Sequence, residues 1–300
     1  MVVVAPTTHF HWPIAMPRVV VPDEMPDEKI IYPLEPTFKE PPRRSLRWDK
    51  QPFRTTTLFI ATGSSANDDM PWTLVCTADN TFDRIHTLQR RVARVETIVV
   101  AGGGLTGAET AGEISYQYGR KGKKEVYFIY NNELPFSPAV MESVSRQTKV
   151  ELERIMGKLA YLPTTGMTPN TLFVPKGMLD KNGYIGQMSF LRADGYKNIF
   201  AVGDAKNLED NRTLAADAQA GHLTKVLRAY FKGGSLPEYK VNSKTMYGIP
   251  LGKSKATGQM GNMKVFSWLI WWFKGRFLGT DKTPGINAAG KTTMSATFEK

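Results

Sequence analysis

Three hundred residues with 39 Lys and Arg against 28 Asp and Glu carry a formal net charge of +11, and 41% of them are hydrophobic. The length suggests about two domains able to bury a core, and the single cysteine, Cys76, excludes an intramolecular disulfide, a CxxC redox pair and a cysteine-rich zinc site. "MVVVAP" is too short for a signal-peptide core and the longest apolar run, Trp268 to Phe273, too short to span a bilayer, which predicts a cytoplasmic chain with at most peripheral membrane contact.

His9 and His11 alternate as strand neighbours do and would share a face. That suits a metal, but with no third ligand nearby a loop or packing role is favoured and no metal is expected. The run "TLFIATGSS", 57–65, is apolar and ends at Gly63, as a strand ending in a turn does.

"TIVVAGGGLTGAETAGEI", beginning at Thr97, is the most informative stretch. Thr97 to Ala101 reads as a strand covered on both faces in a parallel sheet, and the good helix formers after Gly107 read as a helix. Between them Gly102, Gly104 and Gly107 keep GxGxxG spacing. Gly102 permits the tight turn, Gly104 admits a pyrophosphate to the backbone, and Gly107 lets helix pack on strand. The helix N-terminus offers free N–H groups and the positive end of its dipole. With the second strand "KEVYFIY" the run predicts a dinucleotide site of Gly102, Gly103, Gly104, Leu105, Thr106 and Gly107, with Glu109 on the helix. Asn131 and Asn132 stand at the end of that second strand, where an acid would hold the ribose 2′-hydroxyl, so Asn131 is expected at the ribose and the choice of NADH or NADPH stays open. The basic loop "RKGKK", 120–124, precedes the strand and reads as a solvated turn.

Two more apolar runs end in turns: "YLPTTGMTPNT", 161–171, and "NIFAVGDA", 198–205, the latter followed by the helical "LAADAQAGHLTKVLRAYF". From Lys240 to Lys300 ten basic residues face two acids, Asp281 and Glu299, a balance of +8. No helix-turn-helix, zinc-finger or RNP-like pattern accompanies this charge, so nucleic acid is not expected. Lys264 to Leu278, "KVFSWLIWWFKGRFL", has the aromatic residues and basic flanks of an interfacial membrane helix. Its near-continuous apolarity is what a buried or subunit-interface element shows, and that reading stands slightly ahead.

In their order, "IATG", "GGGLTG", "GMTPN" and "AVGD" resemble the motifs of flavoproteins with two dinucleotide-binding domains, and most of all the apoptosis-inducing-factor-like, AMID-type NAD(P)H oxidoreductases. The resemblance covers almost the whole chain. It implies an α/β fold of two Rossmann-like domains, the NAD(P)H domain inserted in a discontinuous FAD domain, with a short C-terminal extension. The implied boundaries are 1–92 and 166–240 for the FAD domain, 93–165 for the NAD(P)H domain, and 241–300 for a basic, aromatic region with a flexible tail. FAD and NAD(P)H are the implied cofactors. Ala61, Thr62, Gly63 and Gly203 would lie beside FAD, Asp204 on its ribitol, and Thr213 and Leu214 near the flavin ring. No side chain would act as acid, base or nucleophile; hydride would pass from NAD(P)H to flavin and electrons on to a quinone-like acceptor or oxygen. The FAD domain is expected to be incomplete, because "MVVVAPTTHFHWPIAMPR" resembles its second strand with no glycine fingerprint ahead of it. The joins "KEPPRRSLRWDKQPFR" and "ERIMGKLAYLPTTG" are also shorter than the family's. That incompleteness keeps an alternative open: a non-catalytic nucleotide-binding or membrane-surface protein.

Overall fold

The computed structural model describes residues 5, 7–37, 55–154, 161–209, 212–242, 246–289, 291 and 293. All of the first short join, much of the second and the last residues of the tail lie outside them.

In chain order the first elements are β1 (His9–His11), the single-turn α1 (Met16–Val19) and β2 (Ile31–Pro33), the two strands forming an antiparallel ribbon. Short strands β3 (Leu58–Ile60) and β4 (Ser64–Ala66) follow. Helix α2 (Ala78–Arg94) begins where the Thr77 hydroxyl accepts from Asn80 N–H, and it buries Ile85, Leu88 and Val92 along one face. Then come β5 (Thr97–Ala101), α3 (Leu105–Ile114), β6 (Glu125–Ile129), α4 (Glu142–Glu153) and β7 (Tyr161–Pro163). β5 lies between β6 and β7 in an all-parallel sheet, and its Ile98, Val99 and Val100 are fully enclosed, as the β-branched run predicts. The loop 120–124 is tied back at its end: Lys124 Nζ donates to the carbonyls of Ala93 and Val95 at 2.7 and 2.6 Å, capping α2.

β8 (Met167–Pro169) pairs antiparallel with β4, and β9 (Ile199–Ala201) pairs parallel with β3, before the long helix α5 (Thr213–Phe231). The last part is not a loose extension. β10 (Met246–Pro250), β11 (Ala256–Met260) and β12 (Met263–Lys264) form an antiparallel sheet, followed by α6 (Ser267–Ile270), a π-helical turn over Trp271–Gly275, and α7 (Thr283–Ala289). Tyr247, Ile249, Leu251 and Leu278 belong to the same hydrophobic core as Ile98, Val100, Ala111 and Ile114.

That larger core also takes in Met16, Val19, Val20 and Ile30, while a smaller one gathers Ile60, Val174, Ile185, Ala193 and Ala201. Within this packing α1 lies against α3, while β3 and β4 pair with the later strands β9 and β8. A buried ion pair adds to this contact. Arg18 is gripped by both carboxylate oxygens of Glu113, at 3.0 and 2.7 Å, and also donates to the carbonyls of Gly275 and Arg276 at 2.8 Å.

Candidate nucleotide-binding site

At the carboxyl end of β5 the chain turns through Gly102, whose φ of 125° is open to glycine alone among common residues. The turn is held by Gly102 N–H to the Ile129 carbonyl and by Phe136 N–H to the Gly103 carbonyl, each 2.8 Å. Thr164, just past β7, closes it from the other side, its N–H and hydroxyl both donating to the Ala101 carbonyl at 2.8 and 2.7 Å.

The three glycines differ in the space around them. A Cβ at Gly107 would collide with the Gly102 carbonyl, and one at Gly102 would meet Thr165 Cγ2 at 2.9 Å. A Cβ at Gly104 would meet nothing within 4 Å. Close packing is thus demanded at 102 and 107, and open space lies over 104, where α3 begins and its first N–H groups have no partner within the helix. Gly103 is packed on Tyr130, the residue before Asn131. Asn131 is exposed, whereas Asn132 Nδ2 is engaged by the Ser137 carbonyl at 2.9 Å. The RKGKK loop lies at the opposite end of β6 from Asn131.

Glu109 departs from the expected nucleotide contact. It is only 5% exposed and its Oε1 accepts from Lys274 Nζ at 2.6 Å, because this face of α3 is turned to the C-terminal sheet. Burial pushes the carboxyls of Glu109 and Glu113 above the usual range, with Lys274 and Arg18 pulling each back. Gly112, one turn on, packs on the backbone of Leu251 and Gly252.

A second group of turns is assembled beside the first. Ala61, Thr62 and Gly63 leave β3 as Gly203 and Asp204 leave its parallel neighbour β9, and Val202 N–H binds the Ile60 carbonyl at 3.0 Å. Gly63 and Gly203 have φ of 66° and 72°, and a Cβ on either would meet nothing within 4 Å. Asp204 Oδ2 accepts from the Ser64 hydroxyl at 3.0 Å, and Gly203 N–H donates to Gln219 of α5 at 2.9 Å. Thr213 and Leu214 are exposed at the start of α5. Asn170, the last residue of "GMTPN", pins this group: its Nδ2 donates to the Thr62 carbonyl (2.9 Å), its N–H to the Gly63 carbonyl (3.0 Å), and its carbonyl accepts from the Thr62 hydroxyl (2.7 Å).

Thr164 and Asn170 therefore lie at the two ends of one segment, one against each set of turns, with β8 paired to β4 between them. Six residues of extended chain span at most about 20 Å. Thr164, Ser64 and Gln219 build these turns without a signal in the sequence motifs, whereas Asn170 closes the motif GMTPN, which carried no role for it.

No protein-family model matches the chain. Its sequence is 28% identical to oxidoreductase ptaL of Pestalotiopsis fici, over 88% of this chain and 84% of that protein. Its similarity extends to other proteins named as oxidoreductases or apoptosis-inducing factors. The chain is 24% identical to apoptosis-inducing factor 1 of Saccharomyces cerevisiae over 75% of this chain and 72% of that one, and 25% identical to the FAD-dependent oxidoreductase FVFD30 of Flammulina velutipes over 75% of each. Among solved structures it resembles a ferredoxin reductase of Rhodopseudomonas palustris, with a TM-score of 0.51 at 16% identity, over 67% of this chain and 57% of that one. This likeness supports the mixed α/β fold.

Proposed function

We propose that the chain is an FAD-dependent NAD(P)H oxidoreductase that passes electrons on to a quinone-like acceptor or oxygen. The observation that carries it is the pair of glycine-ended turn sets held together by segment 164–170, each with open space over its backbone. The names of its relatives point the same way. In this reading residues 93–165 bind NAD(P)H, residues 1–92 and 166–240 bind FAD, and 241–300 add the basic, aromatic part. The parallel pairing of β3 with β9, across the 97–163 sheet, supports the insertion.

The residues present fit FAD at its ribitol side. Gly63 and Gly203 let it approach the backbone, and the Asp204 carboxylate has acceptor capacity beyond its bond to Ser64. A glycine turn for the FAD pyrophosphate is not among the described residues. NAD(P)H would lie with its pyrophosphate over Gly104 and the α3 N-terminus and its adenosine ribose toward Asn131. Bound flavin supplies the hydride acceptor; the chain binds, orients and excludes water. Helix α5 fixes Gly203 through Gln219, and Asn170 fixes Thr62 and Gly63.

The test is spectral. Protein that carries FAD absorbance and bleaches on addition of NADH supports the reading. Leu58 and Phe59 of β3 are 41% and 38% exposed, unusually open for a parallel strand, and this favours the second reading of a non-catalytic nucleotide-binding protein. Colourless protein that still binds NADH, and takes up no added FAD, would establish that second reading.

A further inference from the structure

The aromatic segment Lys264–Leu278 suits two roles by its sequence, and its side chains divide between two environments. One side docks on the C-terminal sheet. Ile270 fills the space over two glycines, since a Cβ at Gly258 or Gly248 would lie 3.0 or 3.3 Å from it. Trp271 Nε1 donates to the Lys253 carbonyl at 2.6 Å, Lys274 binds Glu109 and the Gly248 carbonyl, and Gly275 and Leu278 are buried. A π-helical turn spans Trp271–Gly275.

The other side is open. Phe266, Trp268, Trp272 and Phe273 are 75%, 65%, 51% and 54% exposed, and Met263 of β12 is 67% exposed. So many large apolar side chains open to solvent within eleven residues mark an interaction surface. Its rim is cationic. Lys264 is exposed beside Phe266, and the Arg276 guanidinium lies 4.2 Å over the Trp272 ring and 4.8 Å over Phe277. Residues 240–300 together carry +8.

We propose that this aromatic face docks on an anionic membrane surface, with the tryptophan rings at the depth of the headgroups and Lys264 and Arg276 against lipid phosphates. Tryptophan favours that boundary because its ring is apolar and its N–H wet. A second copy of the chain fits less well: a symmetric pairing of this face with itself sets one cationic rim against another. The proposal is independent of the flavin reading, because it uses neither turn set.

The experiment is co-sedimentation with vesicles of phosphatidylcholine alone and of phosphatidylcholine mixed with phosphatidylserine, at low and high salt. Far-ultraviolet circular dichroism in parallel reports folding. Expected are sedimentation with the mixed vesicles only, a fall in the bound fraction as salt screens the charge, and at least a tenfold loss of partitioning in Trp268→Ser/Trp272→Ser. Trp271 is left in place because it packs inward. Lys264→Glu serves as a second variant, expected to weaken binding at low salt even if the tryptophan variant misfolds. Absence of sedimentation, equal binding to neutral vesicles, or unchanged binding by Lys264→Glu together with any folded tryptophan variant would overturn the proposal. So would light scattering that shows a dimer which either variant converts to monomer.

Discussion

The carbonyl oxygen of Gly102 occupies the place where a side chain on Gly107 would begin. The first and last glycines of the turn are thus coupled by contact, while Gly104 between them faces open space. Gly107→Ala should force the turn apart, at a cost of about 1–3 kcal/mol in stability, and weaken NAD(P)H binding with it. Gly104→Val should leave stability within about 0.5 kcal/mol and still abolish binding, because it fills only the space meant for phosphate. Thermal unfolding and nucleotide titration of the two variants separate these effects; a Gly104→Val protein that binds NADH normally would remove the phosphate from this turn.

At the flavin turns, Asp204→Ala should lower FAD affinity by about 1–3 kcal/mol, the cost of leaving buried donors unpaired. Asn170→Ala should act in the same direction through Thr62 and Gly63, which lose their fixed position. The readout is flavin retained after gel filtration. Equal retention in parent and both variants would refute the placement.

Asn131 is exposed and uncharged at the end of β6, where the proposed function puts the adenosine ribose. Asn131→Asp should repel a 2′-phosphate and accept hydrogen bonds from a 2′-hydroxyl, shifting the Kd ratio toward NADH by about tenfold, or 1.4 kcal/mol. An unchanged ratio would mean that the ribose lies elsewhere.

Arg18 and Glu113 join the N-terminal segment to α3 in a buried pair. Glu113→Ala leaves a guanidinium enclosed without its carboxylate and should cost about 3–5 kcal/mol, whereas Arg18→Met with Glu113→Leu should recover much of this. Urea unfolding of the single and double variants tests the coupling. Additive losses would argue against it.

His11 supplies a pH dependence. Its Nε2 is enclosed and has no hydrogen-bond partner, and burial lowers its pKa from 6.5 to about 4. The unfolded chain therefore binds the proton first as pH falls. Stability tied to neutral His11 is whole above pH 6.5 and drains away as the pH drops toward 4, by about 2 kcal/mol at pH 5 and about 3 kcal/mol near pH 4. His11→Phe should flatten this window in urea titrations at pH 7.5 and 5; an equal slope in the variant would assign the dependence to other groups.

The turn at 102–107 was legible in the sequence because glycine sterics are local: strand, spacing and helix start are all set within about a dozen residues. The same holds for the strand ends at Gly63 and Gly203, whose positive φ needs no distant partner. Asp204 was visible beside them, but its bond to Ser64 was not, since 140 positions separate the two residues. Glu109 and the tryptophans mark the limit more sharply. A helix period shows that residues share a face but not what the face meets, and so Glu109 was assigned to the nucleotide when the chain folds Lys274 against it. Trp268, Trp271 and Trp272 read alike in sequence. Only the glycine-lined surface of the C-terminal sheet, together with the π-helical turn, decides that 271 turns in to bind the Lys253 carbonyl while 268 and 272 turn out. Local conformation is encoded in neighbouring residues; burial depends on which distant surface arrives, and that is a property of the folded chain.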